Sequence, residues 1–186
     1  MKKGGLLFTA TVLAFVLMCA APAFGEMSQA ELAKQSEQAA AASSGTKPTP
    51  EMIKKKVNSA CEMLQSEGES ALRKLQGSDS NYIFSGTYIW VHDMQGNMVM
   101  HPIKYQLNGK NIIGLKDAKG KLFFAEMNQV AQDKGQGWIS YMWPKPGEKT
   151  ASEKVSFVKQ CPVEGHKLVL GCGVYDISMD EVKASQ

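Results

Sequence analysis

Residues 88–102, YIWVHDMQGNMVMHP, read as a β-hairpin. Residues 88–93 are aromatic and β-branched, Gln95-Gly96 is a turn signal, and the apolar pattern resumes at Met98-Val99-Met100. With a two- or four-residue loop centred on Gln95-Gly96, Asp93 faces Met98, Val91 faces Met100, Trp90 faces His101 and Tyr88 faces Ile103. A three-residue loop breaks that pairing. Opposed residues share a face, so Ile89, Val91, Met98 and Met100 make an apolar side suited to a core. Tyr88, Trp90, His92 and His101 make the other side. Rings with polar tips of this kind line small-ligand pockets.

Before the hairpin, Thr49-Pro50-Glu51 is a helix start: a capping hydroxyl, a proline at the first helical position and an acid at the positive end of the dipole. Ile53, Val57, Ala60, Cys61, Leu64, Ala71, Leu72 and Leu75 recur at three- and four-residue steps, which predicts one long helix with a single buried stripe. Gly68 interrupts it and marks a bend or a close approach to the sheet. Residues 26–48 are alanine- and glutamine-rich with a thin apolar stripe, and read as a flexible or weakly helical tail.

After the hairpin, residues 103–114 read as an irregular loop and 121–134 as a second helix, with Gly135 as its cap. Residues 137–143, 154–160 and 167–175 read as strands, the last two joined by a turn at Glu164-Gly165. Residues 177–186 read as a polar tail. Strands joined by short turns pair antiparallel. The expectation is an α+β fold, an antiparallel sheet with the long helix packed on one face and a helix inserted between the second and third strands.

Residues 1–25 have the form of a signal peptide: Lys2-Lys3, an apolar run from Leu6 to Ala21, and small residues at Ala23 and Gly25. Cleavage after Gly25 leaves 161 of the 186 residues and lowers the net charge from +3 to +1. The protein is thereby expected to be periplasmic or secreted. A near-neutral chain lacks the basic face that nucleic acid requires, and Lys54-Lys55-Lys56 spreads around a helix as a solvated surface. Cys61, Cys161 and Cys172 remain. Cys161 and Cys172 are too far apart along their hairpin for a direct bridge, and Cys61 on the helix can reach either. No C-x-x-C, H-E-x-x-H, G-x-S-x-G or P-loop pattern occurs, so neither an enzyme nor a bound cofactor is expected. His92 and His101 alone are too few for a metal site.

The segments YIWVHDMQGNMVMHP, GKNIIGLKDAKGK, GWISYMWPKPGE, KVSFVKQ and VLGCGVYD together resemble the second type of single Cache domain, in that family's order. The resemblance covers residues 50–176, and the domain is set at 49–176. It implies a PAS-like sheet and an extracytoplasmic sensory role: binding of a small organic acid, such as a short carboxylate, or a similar metabolite in a pocket on the sheet. Family members usually sit between two membrane spans of a chemoreceptor or histidine kinase. This sequence shows no second span or kinase module, which points to a soluble binding protein that passes its state to a membrane sensor. The alternative is a ligand-free module docking such a receptor or kinase. A homodimer through the long helix stays open.

The candidate pocket walls are Tyr88, Trp90, Tyr141 and Trp143, with His101 as a donor to a carboxylate. Trp138 lies on the opposite strand face and is expected under the second helix. Lys154 and Lys159 flank Ser156-Phe157 and point to opposite faces, so at most one enters the pocket. Ser156 and Lys159 complete the expected ligand-binding set.

Overall fold

The computed structural model describes residues 27–185, so the signal-peptide reading and its cleavage site lie outside the described residues. The strands are β1 (Ile83–Phe84), β2 (Thr87–Asp93), β3 (Met98–Met100), β4 (Gln136–Pro144), β5 (Ala151–Val163) and β6 (His166–Tyr175). The helices are α1 (Gln29–Ala42), α2 (Pro50–Glu67), α3 (Phe123–Lys134) and α4 (Met179–Ala184). The sheet is antiparallel, with order β1-β2-β6-β5-β4 and β3 paired to β2. The inserted helix, α3, lies between the hairpin and β4 as expected.

The hairpin contains one correction. Its loop has three residues: Asp93 N–H donates to Asn97 O at 3.0 Å and Gly96 N–H donates to Asp93 O at 3.0 Å. Gly96 sits at φ 81°, where an L side chain is strained, so glycine permits this tight loop. His92 therefore pairs with Met98, and a register shift between Val91 and His92 restores Val91 opposite Met100. Met98 consequently leaves the Ile89–Val91–Met100 side and packs with Tyr88 and Trp90. His101 falls beyond the end of β3, so no ladder pairs it with Trp90.

The sheet separates two cores. On one face α2 buries Ile53, Val57, Ala60, Cys61 and Leu64 against Ile89, Phe157 and Leu170. Thr49 Oγ1 accepts from Met52 N–H at 3.2 Å, the cap its sequence announces. The helix breaks at Gly68, and residues 69–75 continue as a 3-10 turn. Cys61 and Cys161 form a disulfide that ties α2 to β5, while Cys172 is a buried free thiol. Trp138 lies on this face against Phe157, with ring centroids 5.3 Å apart, and not under α3. On the other face α3 contributes Phe123, Phe124, Met127 and Ala131 to a core with Tyr88, Trp90, Ile139 and Tyr141.

Both expected tails are helical and docked. α1 buries Ala33, Ser36 and Ala40, and Ser36 Oγ accepts from Gly77 N–H at 2.8 Å. Small side chains bring its backbone close while leaving little apolar stripe in the sequence to read. α4 carries a capping box: Ser178 Oγ accepts from Glu181 N–H at 3.1 Å and Glu181 Oε2 accepts from Ser178 N–H at 2.7 Å. Val182 is buried beneath it.

Candidate functional site

On the α3 face the strands bring together a buried cluster of ring-bearing side chains, the Lys154 chamber, around the Lys154 ammonium. Tyr88 and Trp90 come from β2, Tyr141 and Trp143 from β4, Lys154 and Ser156 from β5, and Tyr175 from β6. Residues of equal parity on one strand share a face, and the antiparallel pairs Lys154–Tyr175 and Tyr141–Lys154 set them side by side. Phe123 of α3 stacks on Tyr141 at 4.6 Å between ring centroids. His101, from the segment after β3, lies 5.1 Å from the Tyr88 ring and 6.1 Å from the Trp143 ring.

Lys154 is 0% exposed. Its Nζ lies 4.3 Å from the Tyr88 ring centroid, 5.1 Å from that of Tyr175 and 5.2 Å from that of Trp90. Among the described residues these cation–π contacts are the ammonium's only partners, and no hydrogen-bond acceptor reaches it. Desolvation pulls its pKa from 10.5 down to about 7. Trp90 Nε1 is likewise buried without an acceptor. The chamber thus holds two unsatisfied donors, and a buried donor left unpaired costs about 1–3 kcal/mol, more when charged.

The hydroxyls and the Trp143 indole are committed. Trp143 Nε1 donates to the Tyr88 hydroxyl at 3.1 Å, Tyr141 and Ser156 hydroxyls are 3.1 Å apart, and the Tyr175 hydroxyl donates to Pro144 O at 2.7 Å. Burial raises the pKa of Tyr88, Tyr141 and Tyr175, so all three stay protonated. His101 Nδ1 accepts from Ile103 N–H at 3.2 Å and from Lys104 N–H at 2.9 Å, which puts its proton on Nε2. Burial, then Lys154 and Lys104, hold His101 well below its usual pKa, hence neutral. Among the described residues no acidic side chain pairs with Lys154. The arrangement suits a small anion: one cation, neutral donors and an apolar wall that excludes water.

The sequence-derived set meets here with one exception. Tyr88, Trp90, His101, Tyr141, Trp143 and Ser156 all border the chamber. Lys159 does not: its Nζ donates to Asn58 Oδ1 of α2 at 2.7 Å, on the far face of the sheet. Lys159 is three residues from Ser156, and an odd separation sends the two to opposite sides. Lys154 takes that place. His92, expected on the same face, is spent on α3, its Nε2 lying 2.9 Å from Asn128 Oδ1.

Gly171 and Gly173 of β6 escaped sequence reasoning. A Cβ at Gly171 would stand 2.2 Å from the Trp90 ring, and one at Gly173 would stand 2.1 Å from Ser156 Oγ and 2.4 Å from Lys154 Cε. Trp90 and Lys154 lie flat on β6 because these two positions have no side chain. The signal was the G-C-G run inside a strand, which marks a close approach.

The family model for single Cache domain 2 matches residues 32–185. A solved periplasmic sensor domain of a chemotaxis protein is 32% identical, with TM-score 0.55, covering 78% of this chain and 98% of that one. A Cache chemosensory domain solved for its carboxylic acid recognition is 26% identical, with TM-score 0.54, covering 78% of this chain and 93% of that one. Among curated proteins, methyl-accepting chemotaxis protein McpP of Pseudomonas putida is 32% identical over 97 residues, 52% of this chain. Sensor histidine kinase MctS of Rhizobium johnstonii is 34% identical over 97 residues, again 52% of this chain. The aligned region spans 17% and 20% of the length of those two relatives.

Proposed function

The chain belongs to the single Cache domain 2 family, and on that premise we propose that it binds a small carboxylate in the Lys154 chamber as an extracytoplasmic sensory module. The observation that carries this reading is the fully buried Lys154 ammonium with no acceptor of its own. A carboxylate supplies what Lys154 and Trp90 lack, and a desolvated charge-assisted bond is strong. The carboxylic acid recognition of the 26%-identical Cache domain supports the same ligand class. Among the described residues the chamber holds no acid to partner an amino group, so plain carboxylates are preferred over amino acids. The role that follows is that of an exported binding protein handing its ligand state to a membrane sensor.

A thermal-shift titration with acetate, propionate and lactate tests it, with ethanol and ethylamine as uncharged and cationic controls. The melting temperature is expected to climb with carboxylate concentration, as it does when a ligand binds only the folded state. Lys154→Met removes the shift and Lys159→Met keeps it. Absence of any carboxylate response, or an equal response in Lys154→Met, would sink the proposal.

A further inference from the structure

We propose that the ligand reaches Lys154 through the cleft at the Tyr175 end of the sheet, with the Tyr175 side chain as gate and the Lys145–Asp176 ion pair as its latch. This rests on the Lys154 chamber being the ligand site. Lys154 is 0% exposed, so nothing meets its Nζ unless a side chain moves aside. A cleft of about 370 Å³ opens between the α1–α2 linker, the turn before β2, the β4–β5 loop and the end of β6. Among the described residues Tyr175 is the one that both walls this cleft and stacks over Lys154.

Tyr175 is tied by its own hydroxyl, which donates to Pro144 O at 2.7 Å, and the turn that follows it is held from outside. Lys145 Nζ donates to Asp176 Oδ2 at 2.8 Å, and Lys47 Nζ donates to the Asp176 main-chain oxygen. Asp176 itself is 70% exposed. It holds φ 59°, a conformation that L residues other than Asn and Asp rarely keep. The segment before α3, held at the edge of β4, is fastened more firmly. Asp117 accepts the N–H groups of Lys119, Lys121 and Met142, and Lys121 Nζ donates to Ser140 O at 2.6 Å.

Reductive methylation of Lys154 by formaldehyde and cyanoborohydride, followed in the full chain by peptide mass spectrometry, tests the route without any ligand. Asp176→Asn breaks the ion pair and keeps a residue that tolerates positive φ. It is expected to speed Lys154 labelling about two- to fivefold, the scale of an exposed ion pair in an opening equilibrium. Tyr175→Ala speeds it by roughly tenfold or more, as a removed gate should. Asp117→Asn, which loosens the segment before α3 at the β4 edge, leaves the rate as in the parent. The proposal fails if Asp176→Asn has no effect, if Asp117→Asn accelerates labelling as much, or if amide exchange in the β5 core rises in parallel. Carboxylate binding is judged separately by the thermal shift, so loss of one reading leaves the other standing.

Discussion

Lys154 and Ser156 share a parity on β5, and Lys159 does not; that single step decides which lysine can meet a ligand. The alternation was legible, but the choice between the lysines was not, because lysine is ordinarily exposed and nothing local in KVSFVKQ marks Lys154 as buried. What buries it is three rings brought from β2 and β6, which only the fold supplies. Its folded pKa of about 7 lies below the 10.5 of the free side chain, so folding disfavours the charged form. That cost is complete below pH 7 and fades as the pH climbs toward 10.5, and at neutral pH it is roughly 4 kcal/mol. Lys154→Met should therefore raise the denaturation midpoint at pH 7 while abolishing carboxylate binding. A bound carboxylate restores the charged form. Above pH 7 binding should take up a proton and weaken by up to about tenfold per pH unit, read by calorimetry in buffers of different ionisation enthalpy. His92 gives a second, independent titration. Burial lowers its pKa from 6.5 to about 4, and its Nδ1 has no partner. The unfolded chain takes up that proton first, so stability is retained above pH 6.5 and lost as the pH falls toward 4, by about 3 kcal/mol. His92→Gln should flatten that acid limb in urea melts at successive pH values.

The elements divide by how local their signals are. α2, α3 and the long strands announce themselves through caps, periodicity and β-branched runs, and they stand close to where those signals put them. The β2–β3 pairing does not, since Gln95-Gly96 is compatible with several loop lengths and a single-residue difference moves Met98 across the sheet. α1 escaped because alanine buries too little area to draw an apolar stripe, whereas the S-x-x-E box of α4 was present and unread. β6 yields a test at this scale. Alanine normally improves on glycine in a regular element by about 0.5–1 kcal/mol. Here the sign should reverse. Gly171→Ala drives a methyl to within 2.2 Å of the Trp90 ring, and that overpacking costs about 1–3 kcal/mol. Displacing Trp90 should also shift the tryptophan emission and weaken carboxylate binding. A Gly171→Ala protein with parent stability, emission and affinity would mean that Trp90 does not rest on β6.

At the scale of the molecule the sheet is a partition. One side carries α2, the disulfide and a largely aliphatic core with Phe157 and Trp138; the other carries α3, most of the rings and Lys154. Membership of the sensory family and the antiparallel layer were readable from the order of five segments, but the pairing of Cys61 with Cys161 required knowing which face α2 covers. Cys172, at the β2–β6 pair opposite Ile89, is buried away from that bond. The partition makes a prediction that separates stability from function. The bridge closes a loop with a sequence separation of 100, so its removal should cost about 3–5 kcal/mol, and a domain of this size should lose roughly 10 °C in melting temperature. Lys154, Tyr88 and Tyr141 lie across the sheet from it and share no hydrogen bond with α2. The Cys61→Ala/Cys161→Ala variant should therefore melt earlier yet hold the parent Kd for acetate at 25 °C. If affinity falls with stability, the two faces are mechanically coupled, and ligand occupancy on the α3 side must then be felt by α2.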